Sequence, residues 1–465
     1  MLSSATKTRT ALYRVIWRWH VFAGLLVLPF LVLMAVTGGA YLFKPELDHW
    51  MYRRLEDVPA RSQPFAPLSL VVQRVESDLD GRVIEITPAL AATQAVRLQV
   101  RVSGGEVRTV YADPYDAHVT GSTGYGGIMQ TVRKIHSLQK FGFWASCVIE
   151  IVAGWAIVLV GTGVFLWWPR GKPGGGVVSV RGSPSRRIFW RDLHAVTGAF
   201  AGAVILFLAV TGMPWSMFWG AHVQKWATAA NLYEPPPPAQ VTPDWQMSAT
   251  MPNMPHTPHG ADPAVSAQMP WAMEKMAMPM SQDMSGMAPI GVDRAAAIFR
   301  TLGLPASASI SLPDGPKGAY VASLRPDRVE DTRVVYLDQY TGKVLGDVGF
   351  KDWGPAAKAI EWGIAVHQGQ EYGPLNRYLM LAGCVAVLLL AVTSITMWGK
   401  RRPKGALGVP PAPAEPRAAL GLIVILVVVG IIYPLVGATL IAAFLVDRGI
   451  AFARQRLGGL KQEYT

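Results

Sequence analysis

The sequence predicts a membrane all-α core, a four-helix pseudo-symmetric bundle plus a fifth helix, carrying two small extracytoplasmic α+β domains. Three observations lead there: five long apolar runs, an uneven distribution of Lys and Arg around them, and an internal repeat. Hydrophobic residues make up 51% of the 465 and charged residues only 16%, against about a quarter charged in a soluble domain.

The runs are Val21–Phe43, Phe143–Trp168, Ala195–Trp219, Pro374–Trp398 and Leu420–Val446. Each exceeds the ~20 residues a helix needs to cross the hydrocarbon. Together they hold one acid, Glu150, and one base, Arg377. The first run is too long for a cleavable signal peptide. Lys7, Arg9, Arg14 and Arg18 precede the first run without an acid among them. Arg170, Lys172, Arg181, Arg186 and Arg187 follow the second, and Lys400, Arg401, Arg402 and Lys404 follow the fourth. Basic flanks stay on the cytoplasmic side, so the N-terminus is expected there, in a multi-pass protein of the bilayer. The same residues account for most of the net charge of +12, so the basic pI signals orientation and no nucleic-acid partner. Trp17, Trp19, Trp167, Trp168, Trp190, Trp219 and Trp398 sit at run ends, where interfacial aromatics belong.

The expected order begins with a cytoplasmic tail and first span (1–43), a first outer domain (44–135) and the second span (136–169). A cytoplasmic loop (170–189), the third span (190–219) and a Pro/Met-rich insert (220–290) come next. The second outer domain (291–366), fourth span (367–400), loop (401–417), fifth span (418–447) and C-terminal tail (448–465) complete it. A single crossing by the fifth span leaves Arg448, Arg454, Arg456 and Lys461 outside, against the charge trend; a re-entrant pair bent at Pro434 is the alternative. Cys147 and Cys384 lie in separate runs and read as small apolar residues.

The repeat covers about residues 17–400. Trp19-His20-Val-Phe-Ala-Gly24 opens span one and Leu193-His194-Ala-Val-Thr-Gly198 opens span three. Each reaches a Thr-Gly pair at the same distance, Thr37-Gly38 and Thr211-Gly212. His136 precedes Gly142, Thr162 and Trp167 as His367 precedes Gly373, Thr393 and Trp398, without a gap. Outside the spans, Val110-Tyr111-Ala-Asp113-Pro-Tyr115 leads to Gly121, and Val335-Tyr336-Leu-Asp338-Gln-Tyr340 leads to Gly346. Alternation at Val96, Leu98, Val100 and Val102 reads as a strand. Helix-like stretches at Leu68–Val75 and Asp293–Leu302 precede the strands, so each outer unit is a helix with a hairpin or meander.

These three signatures resemble the PepSY-associated transmembrane family, iron-regulated inner-membrane proteins that include siderophore reductases. The resemblance covers the chain except Pro235–Pro289 and the last span. It implies PepSY-like outer domains, a bacterial inner-membrane location, bound b-type haems and reduction of ferric iron delivered by siderophores.

Four of the nine histidines occupy matched repeat positions. The two within one repeat lie a bilayer apart, ~30 Å, and cannot share an iron. Across repeats, His20 faces His194 near the cytoplasmic side and His136 faces His367 near the outer side. Paired imidazoles in a helical bundle suit a low-spin haem that transfers electrons. Two haem b groups are therefore expected, held non-covalently because no Cys-x-x-Cys-His occurs. Taken singly, each histidine reads equally as an interfacial residue bonding to headgroups. His49 and His222, just after spans one and three, are the second-rank ligands. Gly24, Gly198, Gly142 and Gly373 give a flat macrocycle room or simply let helices pack. Arg377 is costly in lipid unless paired, and a haem propionate or a headgroup phosphate would pair it.

The insert is rich in methionine, with Met276, Met278 and Met280 at its densest point and His256 and His259 nearby. Thioethers suit Cu(I), so copper is a possible second cofactor; flexible apolar filler is the plain alternative. The leading expectation is a haem-dependent transmembrane ferric-siderophore reductase. No dinucleotide-binding motif occurs, so a membrane quinol or separate reductase must be the electron donor. A copper-handling cupric reductase and a non-enzymatic PepSY regulator are the other readings.

Overall fold

The computed structural model describes residues 2–169, 176–230, 232, 270, 273, 279–282, 286–324, 326–402, 427–446 and 449, with side chains from Leu12 onward. The chain divides into two compact units: Met1–Ala40, Lys134–Gln224 and Tyr378–Thr465 form one, and Tyr41–Arg133 with Lys225–Arg377 the other.

The first unit is helical. Its long helices are α1 (Leu2–Tyr41), α5 (Phe143–Trp167), α6 (Arg187–Gly212) and α10 (Gly373–Arg401). Four stretches are long and apolar enough to cross a membrane: Leu12–Tyr41, Phe143–Trp167, Arg187–Trp215 and Gly373–Arg401. They are apolar on all sides, and Leu25, Phe200 and Val385 stand more than half exposed. Water would penalise such surfaces and lipid does not, so the chain is a membrane protein. α5 and α6 pack along each other, and a core forms from Ala23, Val27, Val152, Trp155, Met213 and Val436.

The fifth apolar run is not the single straight crossing expected. Its described part is helical over residues 427–432 and again over α11 (Pro434–Val446), broken at Tyr433. Pro434 lacks an amide proton and its ring crowds the preceding turn, which places the break. The arms fold back: a Cβ on Gly430 would lie 3.0 Å from the Cα of Gly437, a proximity that seven residues of straight helix, ~10 Å of rise, forbid. Val436 packs against Gly154 of α5. The indoles of Trp155 and Trp219 donate to Thr439 Oγ1 (3.1 Å) and the Ile432 carbonyl (2.8 Å), pinning both arms.

The second unit contains one eight-stranded antiparallel sheet. Helix α3 (Leu68–Leu79) precedes β1 (Gly81–Thr87), β2 (Val96–Val102), β3 (Val107–Ala112) and β4 (Val119–Gly124). Helix α8 (Val292–Thr301) precedes β5 (Ser309–Ser311), β6 (Ala319–Leu324), β7 (Arg333–Asp338) and β8 (Val344–Gly349). Each set is a meander, and β1 pairs with β5 to give the order β4-β3-β2-β1-β5-β6-β7-β8. The two outer domains read from the sequence thus share one sheet and one core. That core takes Val71, Val75, Ile86 and Leu98 from the first set and Ala295, Phe299, Ala322 and Leu337 from the second. Burying each large side chain contributes roughly 1.5–3 kcal/mol. Asp293 of α8 accepts the Leu68 amide at 2.7 Å, capping α3 across the repeat where Pro67 offers no side-chain cap.

The recurring Val-Tyr-x-Asp-x-Tyr motif is structural. Asp113 Oδ1 accepts the Tyr115 amide (2.8 Å) and Asp338 Oδ1 the Tyr340 amide (3.0 Å). The hydroxyls of Tyr115 and Tyr340 then donate to the carbonyls of Ala92 and Pro316, tying the turn after the third strand to the loop after the first. A register shift falls after Tyr111 in one copy and after Tyr336 in the other. Short helices link the units' segments: α2 (Lys44–Glu56) and α7 (Trp219–Ala229) follow spans one and three, and α4 (Gly127–His136) and α9 (Pro355–His367) precede spans two and four.

One turn position differs between copies. Ala117 and Gly342 donate their amides to Asp113 and Asp338 from left-handed backbone, with φ of 61° and 71°. That conformation costs a residue with a Cβ about 1–2 kcal/mol. Ala117→Gly should raise the thermal unfolding midpoint of the purified chain. Gly342→Ala should lower it, since its Cβ would also lie 2.7 Å from Ile298 Cδ1.

Candidate functional site

Polar side chains inside the helical unit are few, and the matched histidines are prominent among them. His20 sits in α1, and its Nδ1 lies 2.9 Å from Oγ1 of Thr162 in α5. His194 sits in α6, and its Nδ1 lies 3.0 Å from Oγ1 of Thr393 in α10, with Ser394 Oγ at 3.3 Å. His136 ends α4, and its Nδ1 lies 2.9 Å from Oγ1 of Thr37 in α1. Three histidines of the repeat thus hold the same partner type through the same ring nitrogen. Each threonine also donates to the carbonyl four residues back: Thr37 to Leu33 (2.6 Å), Thr162 to Val158 (2.7 Å) and Thr393 to Leu389 (2.9 Å).

His20 and His194 come together. Their ring centroids are 6.3 Å apart and their planes stand at 87°. Trp19, the residue before His20, stacks on Trp155 with centroids 6.4 Å apart. His136 belongs to the helical unit and His367 to the other, so their pairing rests on the repeat alone. Thr37 lies 17 residues beyond His20 in one helix, about 25 Å along its axis, which sets the His136 site at the far end of the span.

The second-rank histidines are exposed and engaged locally. His49 Nδ1 contacts Glu56 Oε2 at 3.2 Å on its own helix, and His222 Nδ1 lies 2.7 Å from the Phe218 carbonyl one turn back. Arg377 needs no propionate or phosphate to neutralise it, because it pairs with the Glu46 carboxylate and lies over the Phe43 ring. Of the methionines suggested for copper, Met276 and Met278 lie outside the described residues and Met280 is exposed. Gly142 and Gly373 have open space around them and φ of 94° and 62°. Such left-handed backbone favours glycine, whatever lies alongside. The glycines that touch the site are Gly38 and Gly163: a Cβ there would meet Cε1 of His136 at 3.3 Å and of His20 at 3.4 Å.

The threonines are the functional residues that sequence reasoning underused. They marked the repeat but received no chemistry, although a hydroxyl at fixed spacing from each histidine was the available signal. Glu150 of α5 is buried too, as is Asp192 near the start of α6, which pairs with Arg181 and Arg191. Glu150 Oε2 accepts the amides of Phe218 (3.2 Å) and Trp219 (3.0 Å), while Oε1 and the Ser146 hydroxyl one turn earlier find no partner among the described residues.

A family model described as the PepSY-associated TM region matches residues 17–401. The chain belongs to this family. No curated protein matches it. The match stops before the helical hairpin.

Glu150 thus secures the start of α7. Glu150→Gln keeps an oxygen for both amides and should leave the thermal midpoint in detergent nearly unchanged. Glu150→Leu orphans both amides at about 1–3 kcal/mol each and should lower the midpoint by several degrees.

Proposed function

We propose that this member of the PepSY-associated transmembrane family is a di-haem b electron carrier of a bacterial inner membrane. It reduces ferric iron of siderophores on the side that bears the eight-stranded sheet. The observation that carries the reading is the His20–His194 pair. Two imidazoles sharing one metal stand about 6 Å apart between ring centres, two bonds of about 2 Å plus the two ring radii, and these stand 6.3 Å apart. Among the described residues no group of three or more His, Cys, Asp or Glu side chains gathers to hold a metal ion. Two imidazoles at this spacing are a donor set that would fit a haem iron.

His20 and His194 would hold one haem, and His136 would supply a ligand to the other. Bound there, haem supplies a one-electron Fe(III)/Fe(II) couple with no position open to O2. The helices hold these histidines in place through their threonines. Two layers about 25 Å apart along a helix give electrons a relay across the bilayer. The Lys and Arg flanks support a cytoplasmic N-terminus and put the sheet outside. A ferric siderophore is the substrate there, taking one electron per iron; the lower charge of Fe(II) weakens its hold on hard oxygen chelators. A membrane quinol or a separate reductase supplies the electron.

Purified protein should show a b-type Soret band and two haems per chain by pyridine haemochrome. His20→Ala and His194→Ala should each lose one haem, and His136→Ala the other. Dithionite-reduced protein should be reoxidised faster by ferric siderophore than by Cu(II). Colourless protein that takes up no added haem, or both haems retained in His20→Ala, refutes the reading.

A further inference from the structure

We propose that Thr162, Thr393 and Thr37 are positioning residues that select which nitrogen of His20, His194 and His136 is free to bind metal. The proposal rests on the haem reading above and extends it to side chains that touch no cofactor. A threonine hydroxyl has one proton to give. In all three residues the carbonyl four residues back lies 2.6–2.9 Å from Oγ1, joined at Thr393 by the Leu390 carbonyl at 2.9 Å, so the hydroxyl proton goes to carbonyls of its own helix. What Oγ1 has left to offer the histidine is a lone pair. Nδ1 at 2.9–3.0 Å must therefore be the N–H donor, and Nε2 carries the ring's free lone pair. The chain Nε2–ring–Nδ1–H···Oγ1–H···O=C then runs from the metal-binding nitrogen to a helix backbone.

A threonine bonding back along its own helix is common and by itself signifies only packing. Here the same two-bond chain occurs three times, each at a repeat histidine and each joining different helices. The residue after the threonine completes the seat. Gly38 and Gly163 leave space for the Cε1 edge of the ring, which a Cβ would meet at 3.3 and 3.4 Å. At the third site Ser394 replaces glycine and sets a second oxygen 3.3 Å from His194 Nδ1. Accepting the distal N–H makes the imidazole a stronger donor, which favours ferric over ferrous iron and steadies the ring. Thr211 holds the matching place in the fourth sequence copy, and its hydroxyl likewise donates four residues back, to Phe207 at 2.7 Å.

The test compares full-length haem-loaded protein with Thr162→Val, which keeps shape and loses the hydroxyl, and Thr162→Ser, which keeps the hydroxyl. Thr393→Val and Thr393→Ser form the second pair. Redox titration, low-temperature EPR of the ferric state and transfer of haem to apomyoglobin are the readouts. Each Val variant should raise the midpoint potential of one haem only, shift its low-spin g-values and lower ferric-haem affinity about tenfold. Each Ser variant should restore all three. Val variants with unchanged potential and g-values overturn the positioning role while leaving the haem reading intact; a wild-type protein that binds no haem overturns both. If a Val variant fails to fold, 15N NMR of the histidines in haem-free wild type decides instead. Protonated Nδ1 at His20 and His194 supports the proposal, and protonated Nε2 overturns it.

Discussion

A hydrogen bond between a histidine and a threonine on different helices organises the helical unit. The imidazoles of His20, His194 and His136 each find a side-chain partner on another helix. Here the partner is a hydroxyl whose proton is already committed to its own helix. His20 of α1 leans on α5, His194 of α6 on α10, and His136 beside α5 leans back on α1. Within the first repeat α1 is therefore tied to α5 through His20 and Thr162 and to α4 through Thr37 and His136. Bonds between membrane helices are individually modest, about 1 kcal/mol, so their value lies in direction. They hold the rings of His20 and His136 at two levels about 25 Å apart along α1.

Duplication appears in both units in different forms. In the sheet unit the copies join edge to edge through β1 and β5 and bury one another's helices in a single core. The Asp–Tyr turn that recurs in each copy holds a meander together and performs no chemistry. In the helical unit the copies instead oppose one residue with its counterpart, His20 with His194. A repeat that meets itself this way brings two like side chains together from one per copy, and the proposed haem site rests on that meeting. The hairpin after residue 402 lies outside the repeat, yet it packs on Gly154 and holds the Trp155 and Trp219 indoles.

Much of this was legible in the sequence. Four spans, the strand-rich segments and the histidine repeat followed from apolar length, alternation and spacing. The merger of the outer domains into one sheet was not legible, because pairing between β1 and β5 depends on edge geometry, and β5 is a three-residue strand with little signal of its own. Pro434 gave the bend in the fifth run, but hydropathy alone favoured a crossing. Arg377 showed that a lone charge in an apolar stretch finds the nearest opposite charge even when it is far off in sequence, here Glu46. The threonines were visible as landmarks and silent as chemistry, since a single Thr in a span is usually a packing residue and only the distance to a ring gives it a role.

The central claim is that two histidine layers carry electrons through the membrane to ferric iron outside. The most direct measurement encloses a reductant in liposomes that hold the haem-loaded protein in one orientation, with the N-terminus inside, and adds ferric siderophore only to the exterior. The account predicts external ferrous iron at a rate that depends on the protein and is abolished by His20→Ala. Haem that stays reduced without producing ferrous iron, or an equal rate with His20→Ala, would contradict it.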